Sequence, residues 1–387
     1  MKLLFDRRTE LNGGPGCHAL IVGVSAYPHL PGGTGDPAPE SYGMTQLTCG
    51  ASSAARVSDW LLARRDRLAK PLATSRMLLS PSASEAVPSC QEPTLENLLA
   101  AAAEWRADAA THRDGLAFFY FAGHGFELSS TEQALLLKDF GNGIGPLLRG
   151  AVSVNNLFYG MAPTSRTPEM ARTQVFFLDA SRVHHRTLPS FERQNTTALF
   201  DADLATLDDR SAAVFYASSP GGWAYGITQG FTLFSQSLLD CLDGAAATVV
   251  SENDLQEATW GVTLYSLAEE LPRAVYALSD SLGCYQRVSV GGSLGPGLIC
   301  YADGPPRVEV SLQIEPEAAA PLAQVTVTDA SDQVVSTTTG TPSDKLKLPA
   351  GVYHVRVSFE PPSPPFVDRA RHMRAAPPYS TWRIRVV

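Results

Sequence analysis

Two short apolar runs, each ending in a chemically capable side chain, constrain this chain more than any other feature. Residues 118–125 read FFYFAGHG and residues 175–182 read VFFLDASR. Consecutive bulky apolar residues without alternation suit a strand buried on both faces. HALIVGVSAY (18–27) and AAVFYASS (212–219) have the same character, RMLLS (76–80) is a shorter case, and ALLLKDF (134–140) is strand-like. Between these runs, residues 46–65, 94–110, 153–161 and 231–242 carry apolar residues at helical spacing, with Thr94 as an N-cap behind Pro93. Buried strands alternating with helices predict an α/β fold, a mostly parallel sheet flanked by helices. Ligand sites in such sheets form beyond the carboxyl ends of the strands. His124 and Ser181 each lie just past such an end, so the pattern alone brings them to one edge of one sheet.

The style changes near residue 303. PRVEVSLQIEP, AQVTVTDA, DKLKLPAGVYHVRVSFEPP and STWRIRVV alternate apolar and polar residues between turn signals. The expectation is two domains: 1–302 with the α/β sheet, and 303–387 as a small antiparallel C-terminal β-sandwich. Residues 363–378, rich in Pro, Arg and Ala, read as an irregular excursion before the last strand.

Bulk properties exclude several classes. The net charge of −9 argues against nucleic acid as a partner, because phosphate neutralisation needs a basic face. No apolar run approaches the roughly 20 residues of a spanning helix. The opening MKLLFDRRTE lacks the apolar core of a secretory signal, so no membrane partner and a cytoplasmic location are expected. The six cysteines form no CxxC pair, which supports reduced thiols and no metal site or cofactor.

A histidine on a Gly-His-Gly turn and a nucleophile position 57 residues later form a minimal kit for acyl transfer. Gly123 and Gly125 permit close backbone approach, and the amides of Gly125 and residue 181 suit an oxyanion. The adjacent pair His184 and His185, in a polar loop, reads as solvated.

YFAGHG followed by FFLDASR resembles the caspase and metacaspase superfamily. There, a strand runs into Gly-His-Gly, and a later strand ends Asp-Ala-Cys-Arg or Asp-x-Cys-His, with the His about 50 residues before the Cys. ALIVGVSAYPHL resembles the first strand of prokaryotic members, and YASSPGGWAYGITQGFTLFSQSLLDCL (216–242) resembles the strand and helix after their catalytic loop. The resemblance covers residues 16 to about 245, more weakly to about 300, and implies a caspase-like fold and a cysteine endopeptidase acting on protein substrates. His124 would be the base. Ser181 departs from the pattern. Three explanations stand: a serine put in place of a catalytic cysteine to keep a self-cutting protease intact, a natural pseudoenzyme acting as a protein-binding scaffold, or a serine nucleophile. The first is favoured, because a hydroxyl is far less acidic than a thiol. No G-x-S-x-G elbow surrounds Ser181, which disfavours an esterase.

The resemblance also implies substrate-binding residues. Metacaspases carry an Asp at the position of Asp179 and cut after Arg or Lys, since a buried carboxylate pairs well with guanidinium. Their second acid, on the first helix, corresponds here to Ser53, with Asp36 or Glu40 as substitutes. Ser218, Trp223 and Tyr225 are further candidates for the substrate groove. Loop 182–200, with Arg186 and Arg193, corresponds to the segment that is often cut on activation. An upstream activating protease is therefore a candidate partner, and bacterial defence or programmed death a candidate setting.

Overall fold

A computed structural model describes residues 3–129, 132–143, 148–184, 196–201, 207–253, 256–340, 345–360, 365–377 and 379–387. The chain begins with β1 (Phe5–Asp6), β2 (Cys17–Val24), α1 (Gly50–Ala63), β3 (Leu72–Ser80), α2 (Leu95–Ala109) and β4 (Leu116–Ala122). It continues through β5 (Gly125–Ser129), β6 (Glu132–Leu136), β7 (Ala151–Ser153), α3 (Val154–Gly160), β8 (Thr173–Asp179), β9 (Ser211–Tyr216) and α4 (Leu233–Asp240). Then come β10 (Thr248–Asn253), β11 (Gln256–Thr263), α5 (Leu264–Ser281), β12 (Ser289–Ser293) and β13 (Leu298–Ala302). The remainder is β-rich: β14 (Arg307–Glu315), β15 (Ala323–Thr328), β16 (Val334–Thr339), β17 (Leu346–Pro349), β18 (Gly351–Phe359), β19 (Arg369–Ala375) and β20 (Tyr379–Arg385). Two compact units result, Met1–Cys241 with Val262–Tyr301, and Leu242–Gly261 with Ala302–Val387.

The first unit is built on a seven-stranded sheet of order β1-β3-β2-β4-β8-β9-β12. The five inner strands run parallel, and the two edge strands pair antiparallel. Both faces of the inner strands are covered, which is why their sequences show no alternation. Along β4, Phe119 and Phe121 join Trp105 of α2 and Phe176 of β8 in one core. On the opposite face Phe177 stacks on Phe215 of β9 and meets Phe234 of α4. Each such fully buried side chain contributes about 1.5–3 kcal/mol. Helix ends follow their sequence signals: Thr94 accepts from the Asn97 amide and caps α2, and Ser153 does the same for α3 through Asn156. In register, Ala122 pairs with Asp179. Residues two past each end therefore emerge side by side, which places His124 and Ser181 at one sheet edge as the pattern predicts.

Past β4 the chain folds back as β5 and β6, which pair antiparallel and extend to β7. The strand expected over 134–140 spans Glu132–Leu136. It ends early because Leu137–Phe140 turns, the Phe140 amide donating to Leu137 O.

The second unit includes the β-sheets β17-β14-β20 and β16-β15-β18-β19. Val310, Ile314, Val325, Val355, Val357 and Trp382 are among the side chains that fill its core. Two details differ from the sequence expectation. β20 lies parallel to β14, not antiparallel, made possible by the long connection between them. Residues 369–375 form a regular strand rather than an irregular excursion, paired antiparallel with β18. Its side chains are almost all exposed, as befits an edge strand, so no apolar alternation marks it in sequence.

Candidate active site

Beyond the carboxyl ends of β4 and β8 lies a pocket of about 580 Å³. His124, Ser181 and Asp179 line it together, with Trp223 and Tyr225 at its wall. Trp223 is 59% exposed, so its ring forms an open rim rather than core.

His124 is held from three sides. Its amide donates to Tyr27 Oη at 2.8 Å, and its ring lies 4.9 Å from the Tyr27 ring. Nε2 lies 2.7 Å from the carbonyl oxygen of Thr45. A carbonyl can only accept, so Nε2 carries the proton and Nδ1 keeps its lone pair. Burial lowers the histidine pKa, partly offset by this hydrogen bond, which favours the neutral ring with a free lone pair on Nδ1.

Ser181 Oγ accepts a 3.0 Å hydrogen bond from the Ala224 amide. The serine carbonyl accepts from Gln133 Nε2 at 3.3 Å. The next residue, Arg182, is locked in place. Its guanidinium bonds Glu127 at 3.1 Å with both side chains buried, and it stacks on Tyr216. Glu127 also accepts from the Gly221 amide, while the Arg182 amide donates to Gly222 O. The nucleophile position and the turn that leads to Ala224 are thus tied to β5.

Gly125 is where a side chain cannot be added freely. A Cβ there would stand 3.0 Å from Gln133 Nε2 and 3.1 Å from Ser181 O. Leu136 N donates to His124 O, so by the antiparallel alternation the Gly125 N–H points away from β6. Residues 181–183 run on that side, since Phe126 bridges Val183.

Asp179 is 3% exposed. Its Oδ2 accepts from Tyr120 Oη at 2.7 Å and from Thr232 Oγ1. Among the described residues its Oδ1 has no hydrogen-bond partner. Burial pushes the carboxyl up to about 7, against the pull of those two donors. Thr232 also caps α4, accepting from the Ser235 amide. Tyr120 and Thr232 are site residues that the sequence pattern does not single out: Thr232 sits within the 216–242 stretch, in Gly230-Phe231-Thr232, whereas Tyr120 is hidden inside an apolar strand.

The other sequence candidates separate. Ser53 is buried outside the pocket lining and accepts from the Thr232 amide at 2.9 Å, so it stands one layer behind Asp179. Ser218 is buried and donates to Ala180 O, also away from the pocket. Asp36 is exposed, and Glu40 accepts from the Tyr42 amide; neither lines the pocket. Their loop supplies instead Tyr42, Met44 and the Thr45 carbonyl. His184 lies at the pocket margin, whereas His185, Arg186 and Arg193 lie outside the described residues. Cys49, at the N-cap of α1, faces the pocket, but burial and the Asp179 charge push its thiol up to about 12. It is therefore a thiol, not a thiolate, and no substitute nucleophile. No helix among the described residues is long and apolar enough to cross a membrane.

The caspase domain family model matches residues 17–264. No curated protein matches the chain. Among solved structures, a protein from Geobacter sulfurreducens is 14% identical with a TM-score of 0.42, over 73% of this chain and 95% of that one. Caspase-1 from Spodoptera frugiperda is 13% identical with a TM-score of 0.42, over 73% of this chain and 88% of that one.

Proposed function

The chain belongs to the caspase domain family, whose members are cysteine peptidases acting on protein substrates, and on that premise we propose an endopeptidase site that cuts after arginine, and less well after lysine. The observation that carries this reading is that Oδ1 of buried Asp179, in the pocket shared by His124 and Ser181, has no hydrogen-bond partner among the described residues. A guanidinium entering the pocket supplies the missing donors and a compensating charge.

With cysteine at 181, His124 Nδ1 takes the thiol proton while Thr45 O holds the ring. The sulfur attacks the scissile carbonyl, and the amides of Gly125 and residue 181 receive the oxyanion. The imidazolium protonates the leaving amine, and water then hydrolyses the acyl-enzyme. In the present chain Ser181 is inert in this scheme, because its hydroxyl is a poor acid and no hydrogen bond joins it to His124 among the described residues. The test is Ser181→Cys: cleavage of an arginyl peptide supports the reading, and a folded variant that cuts nothing contradicts it.

A second reading, a protein-binding scaffold of the same family, is favoured by Ser181 itself. It predicts that the serine chain binds basic peptides and that cysteine at 181 adds no cleavage. Activation by cutting within 182–200, an upstream protease as partner, and a role in bacterial defence or programmed death extend the first reading and rest on the resemblance, whereas a separate domain over 303–387 rests on the change of sequence pattern near residue 303 and a cytoplasmic setting on the scattered, unpaired cysteines.

A further inference from the structure

Residues 302–387 contain nine acidic and nine basic residues, so the whole net charge of −9 belongs to residues 1–301. Within the balanced part the charges are segregated. β18, β19 and β20 carry Arg356, Arg369, Arg371, Arg374, Arg383 and Arg385 and not one Asp or Glu. Among the described residues β19 is an end strand of its sheet, and its arginines are exposed.

The register distributes these arginines over both faces of the edge. Arg369 and Arg371 pair with the core-facing Val357 and Val355, so they flank the edge on that side. Arg374 pairs with Val352, and the His354–His372 pair, rings 5.1 Å apart, lies on the opposite face near Arg356. Arg374 O accepts from the Trp382 indole, so that carbonyl faces away from β18. By alternation the backbone groups of Ala370 and His372 also face outward.

We propose that β19 is a docking edge for an extended acidic polypeptide, which adds to the sheet as a further strand. Backbone donors and acceptors spaced along an open edge are complemented by another strand. Arginine rather than lysine suits bidentate capture of carboxylates. Three arginines in one strand, on a chain otherwise acidic, form a selective surface. A nucleic acid could neutralise the arginines but cannot pair with the strand backbone. The proposal is independent of the peptidase reading.

The test uses the full chain and a fluorescein-labelled peptide of about nine residues alternating Glu and Thr, which puts every carboxylate on one face of a strand. At physiological salt the peptide should bind, and a Lys/Thr counterpart should not. Arg369→Glu with Arg371→Glu should weaken binding by about tenfold or more while leaving the melting temperature unchanged, since both side chains are exposed. Methylating alternate peptide amides should weaken it comparably, because that blocks strand pairing and leaves charge intact. Four results would each overturn the proposal: no binding, equal binding to the charge-reversed variant, indifference to amide methylation, or an oligothymidylate of equal charge binding as tightly as the peptide.

Discussion

His124 Nε2 lies 2.7 Å from the carbonyl oxygen of Thr45, and this contact fixes which nitrogen can act as a base. In the Ser181→Cys background, His124→Ala should lower kcat/KM by about 10²–10⁴-fold. Burial lowers the histidine pKa, so the neutral base persists as pH falls. Any histidine-controlled acid limb should thus lie below the ordinary value near 6.5. Peptide hydrolysis measured across pH checks both; undiminished activity in His124→Ala refutes the assignment.

Asp179 gives a stability signature that needs no catalysis. Its carboxyl is raised from 3.8 to about 7, so the folded state holds the proton more tightly than the unfolded state. Stability is then fullest below the unfolded value and declines as pH rises toward about 7, by a nominal amount of about 4 kcal/mol. Thermal unfolding should show this decline, and Asp179→Asn should flatten it. Equal slopes in both proteins would mean that Asp179 is already ionised in the free chain.

Gly125→Ala tests close approach at the proposed oxyanion site. The added methyl would meet Gln133 Nε2 and Ser181 O at 3.0–3.1 Å and push the backbone aside. In the cysteine background, kcat should fall about tenfold or more, since oxyanion donors tolerate little displacement. An unchanged kcat would remove Gly125 from the oxyanion role.

Thr232→Val keeps shape but removes both the donor to Asp179 and the cap of α4. It should cost about 1–3 kcal/mol of stability, largely restored by Thr232→Ser. Ser53→Ala loses only the acceptor of the Thr232 amide and should act more weakly. If Ser53→Ala alone abolished arginine selectivity, Ser53 would be a direct contact after all.

The cysteine form should also yield a large N-terminal fragment ending between about residues 186 and 200 and a smaller C-terminal one. These should co-elute, because β8 and β9 remain paired on either side of the cut. N-terminal sequencing of the small fragment checks this. A fully active enzyme that stays one chain would contradict it.

What the sequence made legible follows from what each residue does. The inner strands stand out because both faces are buried, and β8 (Thr173–Asp179) contains the apolar run that begins at Val175. The neighbourhood of His124 and Ser181 followed from strand ends alone. The pairing of β5 with β6, the Thr45 carbonyl and the Ala224 amide are not legible in the sequence, because backbone contacts leave no signature in residue type. Ser53 was assigned by motif position, yet it acts through Thr232, a relation only packing reveals. β19 was missed because an exposed edge strand has no apolar alternation to read.

The central claim is that Asp179 selects arginine for a nucleophile at 181. The most direct measurement is the P1 preference of Ser181→Cys on a peptide library varied only at that position. The account predicts Arg first, Lys weaker and Asp uncut, with kcat/KM for Arg rising as pH approaches about 7 and Asp179 ionises. Asp179→Asn should lose most of the preference. Best cleavage after Asp or an apolar residue, or an Arg preference untouched by Asp179→Asn, would contradict it.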